Sequence, residues 1–234
     1  MNRRDALAAI GVSAFGVAEA RSALPDHAAD QDRGGGPLSR IHLYLCAFHI
    51  AKKDPTLVFE AHHYCMAVDD EVHQCVIFDS IGERARILGV EYIISDKLYR
   101  ALPIAEKKYY HPHAYEVTSG LLVAPEMKVA DENQLMQGLA TTWGKTWHTW
   151  PDPATALPMG EPLLMWAATR DGLIDERTLA VRDKALKIST PKIRKRRAFI
   201  GPVPQIAPPK SLDEVGRQWT SEGADVPKVT GGAN

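Results

Sequence analysis

Two runs of alternating residues, Val58 to Val68 and Val72 to Asp79, restrict this chain more than any other stretch. Both are rich in β-branched and aromatic side chains, and the Asp69-Asp70-Glu71 break between them suits a turn, so they predict an antiparallel hairpin. Side chains on a strand alternate between faces. Ala61, His63, Cys65 and Ala67 therefore share one face, and Glu60, His62, Tyr64 and Met66 share the other. A turn centred near Asp70 sets Cys65 opposite Cys75 and His63 opposite Ile77. Three of the nine histidines and two of the three cysteines fall in this hairpin.

The N-terminus has the order of an export signal. Arg3-Arg4 precede a weakly apolar stretch from Ala6 to Ala18, and Ala18-Glu19-Ala20 places small residues around a cleavage point after Ala20. An arginine pair ahead of an Ala/Gly-rich core resembles a twin-arginine signal. Residues 1–20 are thus expected to be removed, leaving a periplasmic or secreted protein. Residues 21–37, with Pro25 and Gly34-Gly35-Gly36-Pro37, have too little apolar content to fold and read as a flexible leader.

Beyond the leader the pattern turns globular. Ile41, Leu45 and Phe48 recur at helical spacing after Ser39, predicting a helix that Lys52-Lys53-Asp54-Pro55 ends. The hairpin follows, then a third strand at Leu88 to Ile94. Short helices are expected after Asp96 and Pro103, and extended chain from His111 to Val117. Asp131 or Glu132 starts a helix through Leu135, Leu139 and Trp143 that Gly144 closes. Lys145 to Trp150 and Leu163 to Ala168 read as strands, and Leu173 to Leu186 as a last amphipathic helix. From residue 188 the chain is basic, with Arg194 to Arg197, and then Pro-rich. The whole reads as one α+β domain over residues 38–187, mostly antiparallel sheet with flanking helices and disordered termini, followed by a basic tail over 188–234.

Histidine and carboxylate placement gives the candidate chemistry. Two histidines one residue apart in extended chain point to one side, so His111 and His113 could chelate a single divalent metal ion with Glu116 nearby. His63 or His62 on the hairpin, of which alternation admits only one and His63 is preferred, and His148 between Trp147 and Trp150 could complete the pocket. Cys65 opposite Cys75 is a candidate disulfide in an oxidising compartment, the alternative being two buried thiols. No Gly-x-Ser-x-Gly elbow, phosphate loop or dinucleotide fingerprint is present. A formal charge of −1 argues against a nucleic-acid protein, and no run approaches the roughly 18 apolar residues of a membrane span.

Several segments in fixed order carry a family likeness. They are Glu60 to Cys65, Gln74 to Ser80, Gly89 to Ile93, Leu102 to Lys108, His111 to Val117 and Gly144 to Trp150. Together they resemble the oil-body-associated protein family, over about residues 38–187. The resemblance implies a soluble single domain and, in plants, association with seed lipid bodies. It supplies no reaction, cofactor or catalytic residue. The export signal and basic tail depart from the plant pattern.

Three functional readings follow. One is a binding protein holding a metal ion or a lipid in a pocket of His63, His111, His113, Glu116 and His148. The second is an enzyme using that pocket through metal-activated water or a histidine base. The third is a lipid-surface or structural module whose basic tail meets anionic headgroups.

Overall fold

The hairpin forms with the expected register. In a computed structural model, β2 (Val58–Ala67) pairs antiparallel with β3 (Val72–Phe78), setting His63 against Ile77 and Cys65 against Cys75. The structure describes residues 36–200, apart from 53 and 55. The export signal with its cleavage point at Ala20, the leader to residue 35 and the tail beyond 200 lie outside the described residues.

The other strands are β1 (Leu43–Ala51), β4 (Ile87–Ser95), β5 (His111–Pro112), β6 (Thr142–His148) and β7 (Leu163–Ala167). Their order is β4-β3-β2-β1-β7-β6-β5, and a further β4–β6 pairing closes six of them into an antiparallel barrel. The fold is thus mostly antiparallel sheet with helices, in one domain, and the sheet is closed rather than open. Closure fixes an interior. Facing pairs such as Leu45 with His63, His63 with Ile77, Cys75 with Glu91, and Gly89 with His148 put one face of β1, β2, β3, β4 and β6 inside.

Helices cover the barrel. They are α1 (Asp96–Ala101), α2 (Ile104–Lys107), α3 (Ala114–Ser119), α4 (Val129–Leu139), α5 (Glu176–Leu186) and α6 (Thr190–Arg196). Ser95 and Asp175 cap α1 and α5 by accepting the amides of Leu98 and Thr178. No helix among the described residues is long and apolar enough to cross a membrane.

Four expectations need correction. Residues 43–51 are strand β1, not helix, and only a short 3-10 turn at Pro37–Arg40 precedes them. Every residue from Leu45 to Ala51 is buried, so both strand faces are covered and period two is invisible. The expected extended stretch 111–117 is strand only at His111–Pro112, because proline restrains its predecessor and Ala114 onwards is free to coil into α3. Helix α4 ends at Leu139, and Trp143-Gly144 belong to β6. There Trp143 stacks on Tyr99, with ring centroids 3.5 Å apart.

The fourth correction concerns the tail. Residues 190–196 form α6, Pro191 sits in its first turn, and Thr190, Ile193, Arg197 and Ile200 are buried. The basic run is largely committed to the fold. Arg194 pairs with Asp171 and Arg196 with Glu132. Arg197 donates to the carbonyls of Val117 and Leu122 and to Glu132, each at 2.7 Å. Arg182 on α5 is buried beside it and donates to the Leu121 carbonyl and the Thr190 hydroxyl, both at 2.8 Å.

Cys65 and Cys75 are joined as a disulfide with Cα atoms 4.0 Å apart. Cys46 stays a free, buried thiol, pushed up to about 12 by burial and by Glu60. Ellman's reagent should therefore find no reactive thiol in the native protein at pH 8. It should find one per chain on denaturation without reductant and three after reduction. Three without reductant would disprove the disulfide. Reducing the bond should lower the unfolding free energy by about 2–3 kcal/mol, as expected for closing a loop of this size.

Candidate metal centre

The barrel interior carries one carboxylate ringed by imidazoles. Glu91, at the middle of β4, points inward. His49 comes from β1, His63 from β2, His111 from β5, His113 from the turn into α3, and His148 from β6. These six residues and Glu116 are all 3% exposed or less. Glu91 Oε2 lies 2.8 Å from His63 Nε2 and 3.6 Å from His49 Nε2. Glu91 Oε1 lies 3.2 Å from His113 Nε2 and 3.4 Å from His111 Nε2. The two Nε2 atoms of His49 and His63 are themselves 3.0 Å apart.

The partners on the far side of two rings settle which nitrogen carries hydrogen. His63 Nδ1 lies 3.1 Å from the Ala61 carbonyl, which can only accept, so Nδ1 holds the proton. His113 Nδ1 lies 2.7 Å from Thr142 Oγ1, whose own hydrogen goes to the Leu139 carbonyl at 2.8 Å. That hydroxyl therefore accepts from His113. When neutral, both rings turn a bare Nε2 lone pair toward Glu91. His49 Nδ1 meets His148 Nε2 at 2.9 Å, so His148 supports His49 rather than the carboxylate. Glu116, one turn into α3, lies 3.8 Å from His113 Nε2.

A backbone glycine makes room for the cluster. Gly144 lies opposite both His111 on β5 and Ile93 on β4. A Cβ at this position would stand 2.0 Å from Glu91 Oε1, 2.6 Å from His113 Nε2 and 2.7 Å from His111 Nε2. Any side chain here would drive into the three donor atoms. A cavity of 560 Å³ adjoins this end of the barrel. It is lined by Cys65 and Ile93, the next inward residues after His63 and Glu91, and by Thr142, which holds His113.

Electrostatics follow from burial. Desolvation alone would raise the Glu91 carboxyl; hydrogen bonds from His111, His113, His49 and His63 outweigh it and hold the group well below the carboxylate range, which for His63 and His113 requires protonated rings because their Nδ1 hydrogens are already committed. Burial lowers the three rings that Glu91 does not fully compensate: His49 to about 4, and His111 and His148 also downward. Burial and the nearby Glu91 charge push Glu116 upward.

The structure brings His63, His111, His113 and His148 into one interior, with Glu116 beside them. Sequence reasoning missed Glu91 and His49. The signal for Glu91 was a lone carboxylate inside the apolar run Leu88 to Ile94. His49 was hidden by the mistaken helix. His62 sits on the outer face, as alternation requires. There it lies 3.4 Å from Glu60 and 2.8 Å from the Tyr44 hydroxyl.

Comparison with known proteins adds a family. Residues 35–201 match the model described as a protein of unknown function, DUF1264. The chain belongs to this family. It is 37% identical to oil body-associated protein 1A of Zea mays over 91% of this chain and 90% of that one. It is 38% identical to oil body-associated protein 1B of Arabidopsis thaliana over 76% and 75% of the two chains. Protein 2C of Arabidopsis thaliana is 33% identical over 80% and 78%. No solved structure matches. The family's description assigns no molecular function, so the chemistry must come from the site.

His49 makes an acid-stability prediction. Its folded value of about 4 lies below the ordinary 6.5, so the unfolded chain binds the extra proton between those limits. Stability from keeping His49 neutral is complete below neither value: it is present above pH 6.5 and lost as pH falls toward 4. Glu116, shifted upward, works in the opposite sense, gaining on acidification. The two are separated by comparing wild type with His49→Gln in urea unfolding with chelator present. Wild type should lose about 3 kcal/mol more than the variant between pH 7 and 4. Parallel curves would contradict a neutral buried His49.

Proposed function

We propose that this protein binds a divalent first-row transition metal inside the barrel, on Glu91 and the imidazole Nε2 atoms of His49, His63, His111 and His113. One observation carries this reading: acceptors behind His63 and His113 fix both rings with their lone pairs aimed at one buried carboxylate. Lone pairs 2.8 Å and 3.2 Å from carboxylate oxygens repel unless a cation stands among them. A proton in each gap, on the ring or on the Glu91 oxygen itself, is one answer; a metal ion is the other. Stacking imidazolium charges in a buried cluster is costly, and the surrounding rings resist protonation. A metal ion satisfies all the donors at once. Ring nitrogens whose far side is tied to a carbonyl, a hydroxyl or another ring are the usual support for metal-ligating histidine. A nitrogen-rich set with one carboxylate suits zinc, iron, manganese or nickel.

An ion here could polarise a ligand or activate a water, which is the enzymatic form of the same reading. The paired arginines Arg3-Arg4 and the Cys65–Cys75 bridge support an exported protein folded for an oxidising compartment. The oil-body names of the plant relatives raise a lipid-surface reading. The basic run gives it little support, because Arg194, Arg196 and Arg197 are engaged in ion pairs.

Metal analysis of the full chain tests the proposal. Wild type should carry metal after desalting, or take up Zn(II) or Mn(II) tightly after chelation. Glu91→Gln should lose at least 100-fold in affinity while its circular dichroism and melting remain cooperative. Wild type that holds no metal and takes up none of Zn(II), Mn(II), Fe(II) or Ni(II) would overturn it.

A further inference from the structure

We infer that the barrel is built for two metal ions bridged by Glu91, one on each carboxylate oxygen; this rests on the metal-binding reading above. The donor atoms divide into two compact triads, not one sphere. His49 Nε2, His63 Nε2 and a Glu91 oxygen lie within 4.8 Å of one another, and so do Glu91, His111 and His113. Glu91 alone is common to both triads.

The first triad has the shape of one face of an ion's coordination shell. Its three separations are 2.8, 3.0 and 3.6 Å. Neighbouring donors on an octahedral ion with bonds of about 2.1 Å stand about 3 Å apart, and on a tetrahedral ion about 3.4 Å. An ion capping this triangle keeps its remaining positions open, as in two-histidine, one-carboxylate sites. The rings come from paired strands β1 and β2, so their spacing is set by the sheet.

The second triad has independent support. It uses the other oxygen, Oε1, with His111 on β5 against β6 and His113 at the turn into α3. Gly144 keeps the space in front of these three donors free of side-chain atoms, at contact distances a carbon could not tolerate. His113 also carries its own positioning bond to Thr142. Glu116, buried at 3.8 Å from His113 Nε2, places a second carboxyl on this side alone, one that bound cations would ionise. Two divalent ions concentrate charge that one carboxylate cannot balance, and Glu116 sits where the excess would be.

A carboxylate with both oxygens engaged by different imidazole pairs is the natural bridge for two ions about 3.5–4 Å apart, an arrangement that clamps an oxygen-containing ligand between them. Gly144 and His111 become positioning and ligand residues of the second ion only. His49, His63 and, through His49, His148 serve the first.

The test loads full-length, chelator-treated protein with Mn(II) alone and with Zn(II) alone, then counts metal per chain by mass spectrometry after desalting. Two equivalents are expected in wild type. His111→Ala/His113→Ala and His49→Ala/His63→Ala should each keep one, and Gly144→Ala should behave like the first pair. Because these variants could fail to fold, wild type is also examined by electron paramagnetic resonance with Mn(II). An exchange-coupled pair signal supports bridging. A single equivalent with an isolated six-line spectrum overturns the two-ion inference and leaves metal binding standing. No uptake of Mn(II), Zn(II), Fe(II) or Ni(II) overturns both.

Discussion

The buried charge of Glu91 is the constraint around which the barrel is arranged. An ionised carboxylate taken out of water costs several kcal/mol unless it is matched by opposite charge and by hydrogen-bonding or coordinating atoms. Strands β1 and β2, the β5 segment and the turn into α3 each deliver one imidazole toward it, and β6 backs His49 with His148. The closed sheet supplies the rest. It excludes water, fixes the directions from which the rings arrive, and leaves no edge through which the cluster could relax. Glycine at 144 belongs to the same constraint, because a side chain on β6 would occupy the space the donors share.

The outer shell keeps that interior closed. Arg182 and Arg197 are both fully buried and donate to carbonyls at Gly120 to Leu122 and at Val117. These carbonyls flank α3, the helix that follows His113 and carries Glu116. A basic stretch that reads as a solvated tail is in this way part of what holds one wall of the site. It links the C-terminal helices to the geometry of two of the site's residues.

Much was legible in the chain by itself, and the reasons are local. The hairpin register followed from alternation and the acidic turn, so the facing of Cys65 with Cys75 and of His63 with Ile77 needed no tertiary information. His111 and His113 were legible as a pair from their spacing, although the proline between them holds only His111 extended and His113 already turns into α3. The family was legible from short segments in fixed order.

What only the tertiary structure decided was which way the strands face and where they close. In Leu88 to Ile94 the apolar alternation favours burying Val90 and Tyr92. The structure exposes both and buries Glu91 instead. A hydrophobic pattern ranks faces by transfer free energy, and a buried charge matched by polar partners inverts that ranking. His49 was hidden for the opposite reason, since a strand buried on both faces has no period to read. The sequence by itself determined the hairpin, the paired histidines and the family. Closure of β4 onto β6 determined that Glu91 and five histidines share one interior, because only non-local pairing brings together residues up to 99 positions apart.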